Sequence, residues 1–124
     1  MIVGLGTDVV EVERFRLALQ RRATLADRIF TNGEREYGAQ QHDPAESLAA
    51  RFAAKEAVMK ALGVGLGDFE FHDVEVVRAA SGAPSLVLTG KAEAIAAERG
   101  VVAWHVSLSH TTSAAIAVVI AIGT

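Results

Sequence analysis

The chain has 124 residues, a length typical of one domain that buries roughly two-thirds of its unfolded surface. Its composition, 51% apolar and 22% charged, excludes a disordered chain. Because it has no cysteine, a disulfide framework, a thiolate metal site and a cysteine nucleophile are excluded too. The net charge of −3 argues against bulk nucleic-acid binding, which favours a basic domain. We expect residues 1–124 to form a single domain.

The amino terminus lacks the features of a targeting signal. It begins MIVGLGTDVV, with no basic region before the apolar run and an aspartate inside it, which makes a poor signal peptide. The longest apolar stretch, Ala114 to Ile122, has nine residues and is too short to span a bilayer as a helix. We therefore expect a cytoplasmic protein with no membrane partner.

The first predicted element is a strand from Ile2 to Val10. With a side-chain period of two, Gly4, Gly6 and Asp8 lie on one face of this strand. The two glycines leave room beside the carboxylate for something to approach the backbone closely. The strand therefore leaves room for another group to approach closely beside one acid.

A basic helix is predicted from about Glu11. Its apolar residues recur at helical spacing: Val12, Phe15, Ala18 and Leu19. Arg14 and Arg21 fall on a shared face of this helix. Between residues 14 and 28 there is one acid, Asp27, against five arginines: Arg14, Arg16, Arg21, Arg22 and Arg28. Such a patch can steer an acidic partner even though the whole chain is anionic.

Two further helices are predicted in the middle of the chain. Thr31 and Glu34 have the spacing of a capping box, so a short helix begins there. After a loop at residues 41–44, an alanine-rich helix runs from Ala45 to Leu62 and is closed by Gly63. The glycine run at residues 63–67 follows a helix carboxyl end, which excludes a phosphate-binding P-loop.

The second half of the chain is dominated by predicted strands. They cover residues 71–79, 85–88, 101–109 and 113–122, with a helix at residues 91–99. The last strand is apolar almost throughout, which is typical of a strand covered on both faces by neighbouring elements or another subunit. The whole pattern predicts an α+β fold, with a mostly antiparallel sheet of about five strands packed with one long and two or three shorter helices.

The long helix carries the strongest chemical signal. Glu56 and Lys60 extend an apolar stripe at four-residue spacing, and Arg51 and Lys55 form a basic stripe beside it. Such a pattern is common on an ordinary surface helix with a solvated ion pair. Alternatively, the helix forms a wall that presents a carboxylate to a metal ion and several cations to phosphates.

Asp8 and His110 each allow two interpretations as well. An aspartate near a strand end can cap the following helix, or it can bind a metal. Ser109 and His110 lie where a predicted strand ends, and such residues commonly form turns. An imidazole in that place can also bind a phosphate or accept a proton.

Three stretches of the chain carry a resemblance to a known family. Gly4–Asp8 reads GLGTD, Arg51–Gly63 contains RFAAKEA followed by KALG, and His105–His110 reads HVSLSH. Together, in this order and at these separations, they resemble the signatures of holo-acyl-carrier-protein synthases, the short members of the 4′-phosphopantetheinyl transferase superfamily. The resemblance covers nearly the whole chain.

The resemblance implies an activity and a catalytic set. Members of this family transfer phosphopantetheine from coenzyme A to a serine of an apo acyl carrier protein and release 3′,5′-ADP. By matching motif positions, Asp8 and Glu56 are expected to bind Mg²⁺, and Lys60 to contact the coenzyme A phosphates. His110, with Ser109 beside it, is expected near the nucleotide or the reacting phosphate.

The resemblance also implies partners. Arg14 and Arg21 match positions at which the family meets the acidic recognition helix of the carrier. The short members form homotrimers with active sites at subunit interfaces, which would explain the long apolar strand. Arg51 and Lys55 are expected to help bind the remaining phosphates.

The residues leave three points open. The base that deprotonates the carrier's serine is a carboxylate or metal-bound water near Asp8 or Glu56, with His110 as the competitor. Two other functions use the same features: a Mg²⁺-dependent hydrolase of coenzyme A or nucleotide pyrophosphates, and a non-catalytic module that docks an acidic protein. The carrier could serve either fatty-acid or polyketide synthesis.

Overall fold

A computed structural model describes residues 1–124. The strands are β1 (Ile2–Glu11), β2 (Val74–Arg78), β3 (Pro84–Leu88), β4 (Val101–His110) and β5 (Ala114–Gly123). The helices are α1 (Val12–Arg21), α2 (Leu25–Ile29), α3 (Asn32–Ala39), α4 (Pro44–Leu62) and α5 (Gly90–Glu98). A 3₁₀ turn, Phe71–Asp73, precedes β2.

The strands form two antiparallel sheets. The larger has the order β1-β5-β4, and the smaller is the β2-β3 hairpin. In the larger sheet Asp8 lies opposite Ala117, which in turn lies opposite Leu108. The α+β class and the number of strands are therefore as predicted, although the strands divide between two sheets.

Helix α4 is the centre of the packing, and its alanines make this possible. It lies against β1 and β5 on one side and against α1 and α3 on others. Most of its residues are buried, including Ala49, Ala53 and Ala57 with no exposed surface. Small side chains let several elements approach one helix, so charged residues on α4 lie close to other parts of the chain.

Two glycines of β1 set the distance between this strand and α4. A Cβ atom at Gly6 would lie 1.8 Å from the carbonyl oxygen of Ala57, and one at Gly4 would lie 2.1 Å from that of Ala61. Real Cβ atoms never come so close to backbone, so any side chain would force the helix away. The space predicted beside Asp8 is therefore occupied by α4.

Two local predictions differ from the structure. The strand predicted to begin at Phe71 begins at Val74, because the preceding residues form the 3₁₀ turn. That turn is stabilised by Asp73, whose carboxylate accepts a hydrogen bond of 3.3 Å from the Glu70 N–H. Helix α2 was not predicted, and its N-cap residue Thr24 makes no side-chain cap bond. The sequence does carry a start signal here, Thr24 followed three residues later by Asp27, but the side chain of Thr24 makes no bond that would realise it.

One face of the larger sheet is not covered within the chain. On β5 the side chains alternate, with Ala115, Ala117, Val119 and Ala121 buried. The other face exposes large apolar side chains: Leu5, Val9, Ile116 and Val118. Within one chain, therefore, only one face of β5 has the cover that its apolar sequence predicts.

Among the helices, none combines the length and apolar character that crossing a membrane requires.

Candidate active site

Asp8 lies inside β1 and faces α4. Its strand continues to Glu11, which is also the N-cap residue of α1, so Asp8 does not cap that helix. Its side chain is 19% exposed. The interpretation of Asp8 as a helix cap is therefore wrong, and its carboxylate is available to other partners.

Glu56 and Lys60 meet Asp8 from the facing side of α4. The Lys60 ammonium donates to an Asp8 carboxylate oxygen at 3.2 Å and to the Thr7 carbonyl at 2.9 Å. Burial raises the pKa of Glu56, the Asp8 charge raises it further, and Lys60 partly opposes both. Two carboxylates and one ammonium thus converge where Gly4 and Gly6 allow β1 to touch α4.

This acidic pair fits a small hard cation. Magnesium takes one or two carboxylates and completes its octahedron with water and substrate phosphates. Asp8 and Glu56 supply two, and no group of three or more potential ligands is present that would form an all-protein cage. A cation here would also relieve the repulsion that raises the pKa of Glu56.

The acids open into a large groove of about 1560 Å³. Its floor is aromatic: the Phe52 ring stacks on Phe15 at 5.1 Å and lies 5.5 Å from Phe71. Asp8 and Glu56 line the groove together with three arginines: Arg14, Arg22 and Arg28. The groove therefore combines an apolar floor with a rim of mixed charge, because four further acids also line it: Glu11, Asp27, Glu70 and Asp73.

The basic segment is mostly free for a partner. Arg14 and Arg21 are exposed, and Arg14 has only a loose contact of 3.8 Å with Glu11. Arg16 is different, because its guanidinium binds both oxygens of Asp43 at 2.7 and 2.8 Å. This bond lowers the pKa of Asp43 to about 2. Arg16 therefore anchors the start of α4 rather than facing a partner.

Ser109 and His110 line a second, smaller cavity of about 410 Å³. Arg51 and Arg78 line it too, with guanidinium carbons 4.0 and 5.2 Å from the centre of the Tyr37 ring. Burial lowers the pKa of Arg51, and its Nε is a buried nitrogen with no hydrogen-bond partner. The cavity therefore brings two guanidinium groups together, although the carboxylates of Asp43 and Glu46 line it too.

Lys55 does not belong to either cavity, which corrects the sequence prediction. Its ammonium has no exposed surface and pairs with the equally buried Glu34 carboxylate at 2.8 Å. It also donates to the Phe71 carbonyl at 3.0 Å and to the Val74 carbonyl. These three partners use all three N–H groups, so Lys55 cannot bind a phosphate. Burial lowers its pKa, while Glu34 opposes that shift.

The predicted site residues fall into two groups within one chain. Asp8, Glu56 and Lys60 lie at the β1–α4 contact, whereas Ser109 and His110 are on β4. Strand β5 lies between β1 and β4, so the two strands are about 10 Å apart. The groups therefore suit a substrate long enough to reach both.

Sequence reasoning missed three residues of the second cavity. Tyr37, Glu46 and Arg78 line it beside Arg51. Glu46 carried one signal, as an acid in the first turn of the long helix. Its bond to His110, which lies 64 residues away, had no signal in a single sequence.

The raised pKa of Glu56 predicts a pH-dependent cost to folding. Above the raised value the folded state must hold the charged form in a site that disfavours it, whereas the unfolded chain holds it freely. We expect Glu56→Gln to increase the free energy of unfolding at pH 7 without divalent cations. The gain should disappear as the pH falls below the ordinary value of 4.5.

Urea unfolding at several pH values measures this effect. Glu36→Gln, at an exposed glutamate of α3, is the matched control and should change stability by less than about 0.5 kcal/mol. A Glu56→Gln variant that is less stable than the parent at pH 7 would contradict the prediction.

Comparisons with known proteins identify the family of the chain. The sequence matches the family model described as the 4′-phosphopantetheinyl transferase superfamily over residues 4–119. It is 52% identical over 121 residues to a holo-(acyl-carrier-protein) synthase of Salinispora arenicola, covering 98% of each chain.

Solved structures give the same result. The fold matches the holo-(acyl-carrier-protein) synthase of Neisseria meningitidis with a TM-score of 0.89, at 32% identity over 98% of this chain and 99% of that one. It matches the synthase of Bacillus anthracis in complex with coenzyme A (3′,5′-ADP) with a TM-score of 0.82, at 33% identity over 100% and 99%. The chain therefore belongs to the 4′-phosphopantetheinyl transferase superfamily, in the family of the holo-(acyl-carrier-protein) synthases.

Proposed function

We propose that this chain transfers the 4′-phosphopantetheine group of coenzyme A to a serine of an apo acyl carrier protein, releasing 3′,5′-ADP. The observation that carries the proposal is the convergence of Asp8, Glu56 and Lys60 at an open groove. The family membership supports it, because relatives along the whole length are named for this reaction.

The acidic pair is proposed to hold Mg²⁺. When bound there, the ion would neutralise charge on the pyrophosphate and the leaving 3′,5′-ADP. Lys60 is more than half exposed and adds a mobile positive charge next to the pair, so it can reach a substrate phosphate. The nucleophile is the partner's serine, so the chain itself needs to supply only positioning, charge and a base.

A carboxylate of the Asp8–Glu56 pair is the base that the geometry favours over His110. Glu56 lines the groove that the carrier's serine would enter, so a carboxylate of the pair can reach the serine hydroxyl. His110 lines the other cavity, on the far edge strand of the sheet. This separation supports a role for His110 at the nucleotide phosphates.

The second cavity is proposed to hold those phosphates. Arg51 and Arg78 supply two permanent cations there, and Ser109 supplies a hydroxyl. The partnerless Nε of Arg51 is a buried donor whose desolvation cost a phosphate oxygen would offset. Arg51 thus stays a proposed phosphate ligand, whereas Lys55 does not.

The carrier is proposed to dock on α1 and the groove rim. Arg14 and Arg21 are exposed on the same helix, and Arg14 also lines the groove beside Asp8. An acidic helix bound along α1 would therefore bring its serine next to the acidic pair. Cationic residues here would act mainly on encounter rate and orientation.

The homotrimer that the family resemblance implies is proposed to assemble through the uncovered face of the larger sheet. Leu5 and Val9 of β1 and Ile116 and Val118 of β5 make this face apolar. Contiguous exposed apolar surface of this kind marks an interface between proteins. A second and third copy of the chain would provide the missing cover of β5.

The transfer itself is tested by mass spectrometry of the carrier. With apo carrier, coenzyme A and Mg²⁺, we expect the carrier to gain the mass of one phosphopantetheine group. Asp8→Asn should lower the rate by more than about 100-fold with an unchanged circular dichroism spectrum, because a metal ligand is lost. Glu36→Gln should transfer at the parent rate. Release of 3′,5′-ADP from coenzyme A without carrier would instead favour a hydrolase.

Docking is tested by reversing one charge. Arg14→Glu should raise the KM for the carrier about tenfold and weaken its salt dependence, with the KM for coenzyme A unchanged. Arg99→Glu, at an exposed arginine beyond α5, is the matched control and should change neither. If the KM for the carrier is the same in Arg14→Glu, Arg14 is not part of the docking surface.

Assembly is tested by placing a charge on the sheet face. Val118 is 37% exposed and Val87, on the β2-β3 hairpin, is 45% exposed, so both should accept glutamate in a monomer. Sedimentation velocity should give the mass of three chains for the parent and Val87→Glu, and of one chain for Val118→Glu. A trimeric Val118→Glu would place the interface elsewhere.

A further inference from the structure

Glu46 and His110 form a hydrogen-bonded pair to which the proposed reaction assigns no role. The His110 imidazole is the last side chain of β4, and its Nδ1 lies 3.0 Å from a carboxylate oxygen of Glu46. The Glu46 side chain is 19% exposed and that of His110 is 42% exposed. Both line the smaller cavity with Arg51 and Arg78. The pair therefore belongs to the cavity proposed for the coenzyme A phosphates.

The carboxylate of Glu46 is held by a rigid support. Glu46 is the third residue of α4, after the N-cap Asp43 and Pro44. Its backbone N–H donates to the Asp43 carbonyl at 3.2 Å. Asp43 is itself fixed by the bidentate contact with Arg16 and by a 3.2 Å bond from the Ala45 N–H. The start of α4 thus gives Glu46 a defined position relative to β4.

The chemistry of the two groups fixes the direction of their hydrogen bond. An ionised carboxylate has no proton and can only accept. The Nδ1 atom of His110 must therefore carry the proton, in the neutral as well as in the charged imidazole. Nε2 is then the nitrogen left for another partner, as a proton acceptor when the ring is neutral and as a donor when it is charged.

Glu46 places a negative charge next to the arginines of this cavity, and that charge opposes the binding of a phosphate. Unpaired, Glu46 would reduce the attraction of Arg51 and Arg78 for an anion. In the pair with His110, one carboxylate oxygen of Glu46 is hydrogen-bonded to the ring, which offsets part of its charge. The carboxylate of Glu46 thus lowers the positive potential of the cavity and at the same time fixes the imidazole of His110.

We propose that Glu46 is a positioning residue that fixes the Nδ1–H tautomer and ring orientation of His110, so that Nε2 is the atom that meets the coenzyme A phosphates. The assignment to coenzyme A rests on the proposed function. The tautomer does not, since it follows from the Glu46–His110 contact alone.

The tautomer is measured in the full chain, without substrates. Two-dimensional ¹H–¹⁵N spectra of the imidazole rings at pH 8 distinguish protonated from unprotonated nitrogens, and the His110→Gln spectrum identifies the signals of His110 among the four histidines. We expect Nδ1–H in the parent and a shift towards Nε2–H in Glu46→Ala. Glu93→Ala, which removes a first-turn acid from α5, is the matched control and should leave the tautomer unchanged.

Kinetics then test whether the tautomer matters to the reaction. Glu46→Ala should lower kcat/KM for coenzyme A about tenfold, the lower end of the cost of losing an orienting partner of a histidine in metal sites. In the His110→Ala background the same substitution should have no further effect, because Glu46 acts through His110.

Each outcome decides one part of the proposal. A parent protein with Nε2–H, or an unchanged tautomer in Glu46→Ala, overturns the positioning role. A shifted tautomer with unchanged kcat/KM, or an equal loss in the His110→Ala background, overturns the contribution through His110. If no transfer to any carrier occurs, the proposed function fails while the tautomer result stands by itself.

Discussion

The contact between β1 and α4 is the constraint on which the candidate site depends. Gly4 and Gly6 have no side chains, so the strand backbone can lie directly on the carbonyl groups of Ala57 and Ala61. Asp8 is the next residue on that face, one pleat further along. It is therefore set against Glu56 and Lys60 without a loop or a ligand to bring them together.

Such a contact has an energetic consequence. The two carboxylates are brought near each other in a partly buried place, which raises the pKa of Glu56 and opposes folding. Lys60 compensates in part through its bond to Asp8. Because the two carboxylates repel each other without a cation, binding of a cation would stabilise the folded chain more than it would at a site without this repulsion. The strand glycines thus connect backbone packing to affinity for a metal ion.

Residues 55 and 56 of α4 show what periodicity can predict and what it cannot. Their spacing relative to Arg51 and Lys60 correctly indicated two separate stripes of charge. The spacing could not indicate that Lys55 is buried, because its partner Glu34 lies on another helix. No periodic pattern in the sequence connects the two residues. Breaking this pair would leave an uncompensated buried charge, at a cost of about 3–5 kcal/mol. Of the two residues in the basic stripe, Lys55 is therefore structural, although the stripe resembled a phosphate-binding surface.

The regular elements were predictable because their signals are local in the sequence. The capping box at Thr31 and Glu34, the glycine end of α4 and the apolar last strand are local signals, and each lies where it was predicted. Lys55 donates to the Phe71 carbonyl from 16 residues away, and Glu46 acquires its partner only when β4 meets α4. Contacts of this kind join distant parts of one chain, so a single sequence contains no pattern for them.

The separation of the two groups of site residues constrains the shape of the substrate. A small phosphate ester would contact either the acids of the groove or the arginines of the second cavity, because β5 keeps β1 and β4 about 10 Å apart. The proposed substrate, coenzyme A, is long enough to reach both sites. The same separation supports the proposal that His110 orients the substrate while the acidic pair takes part in the chemistry. An imidazole that only orients must present one defined nitrogen, and Glu46 is placed to select it.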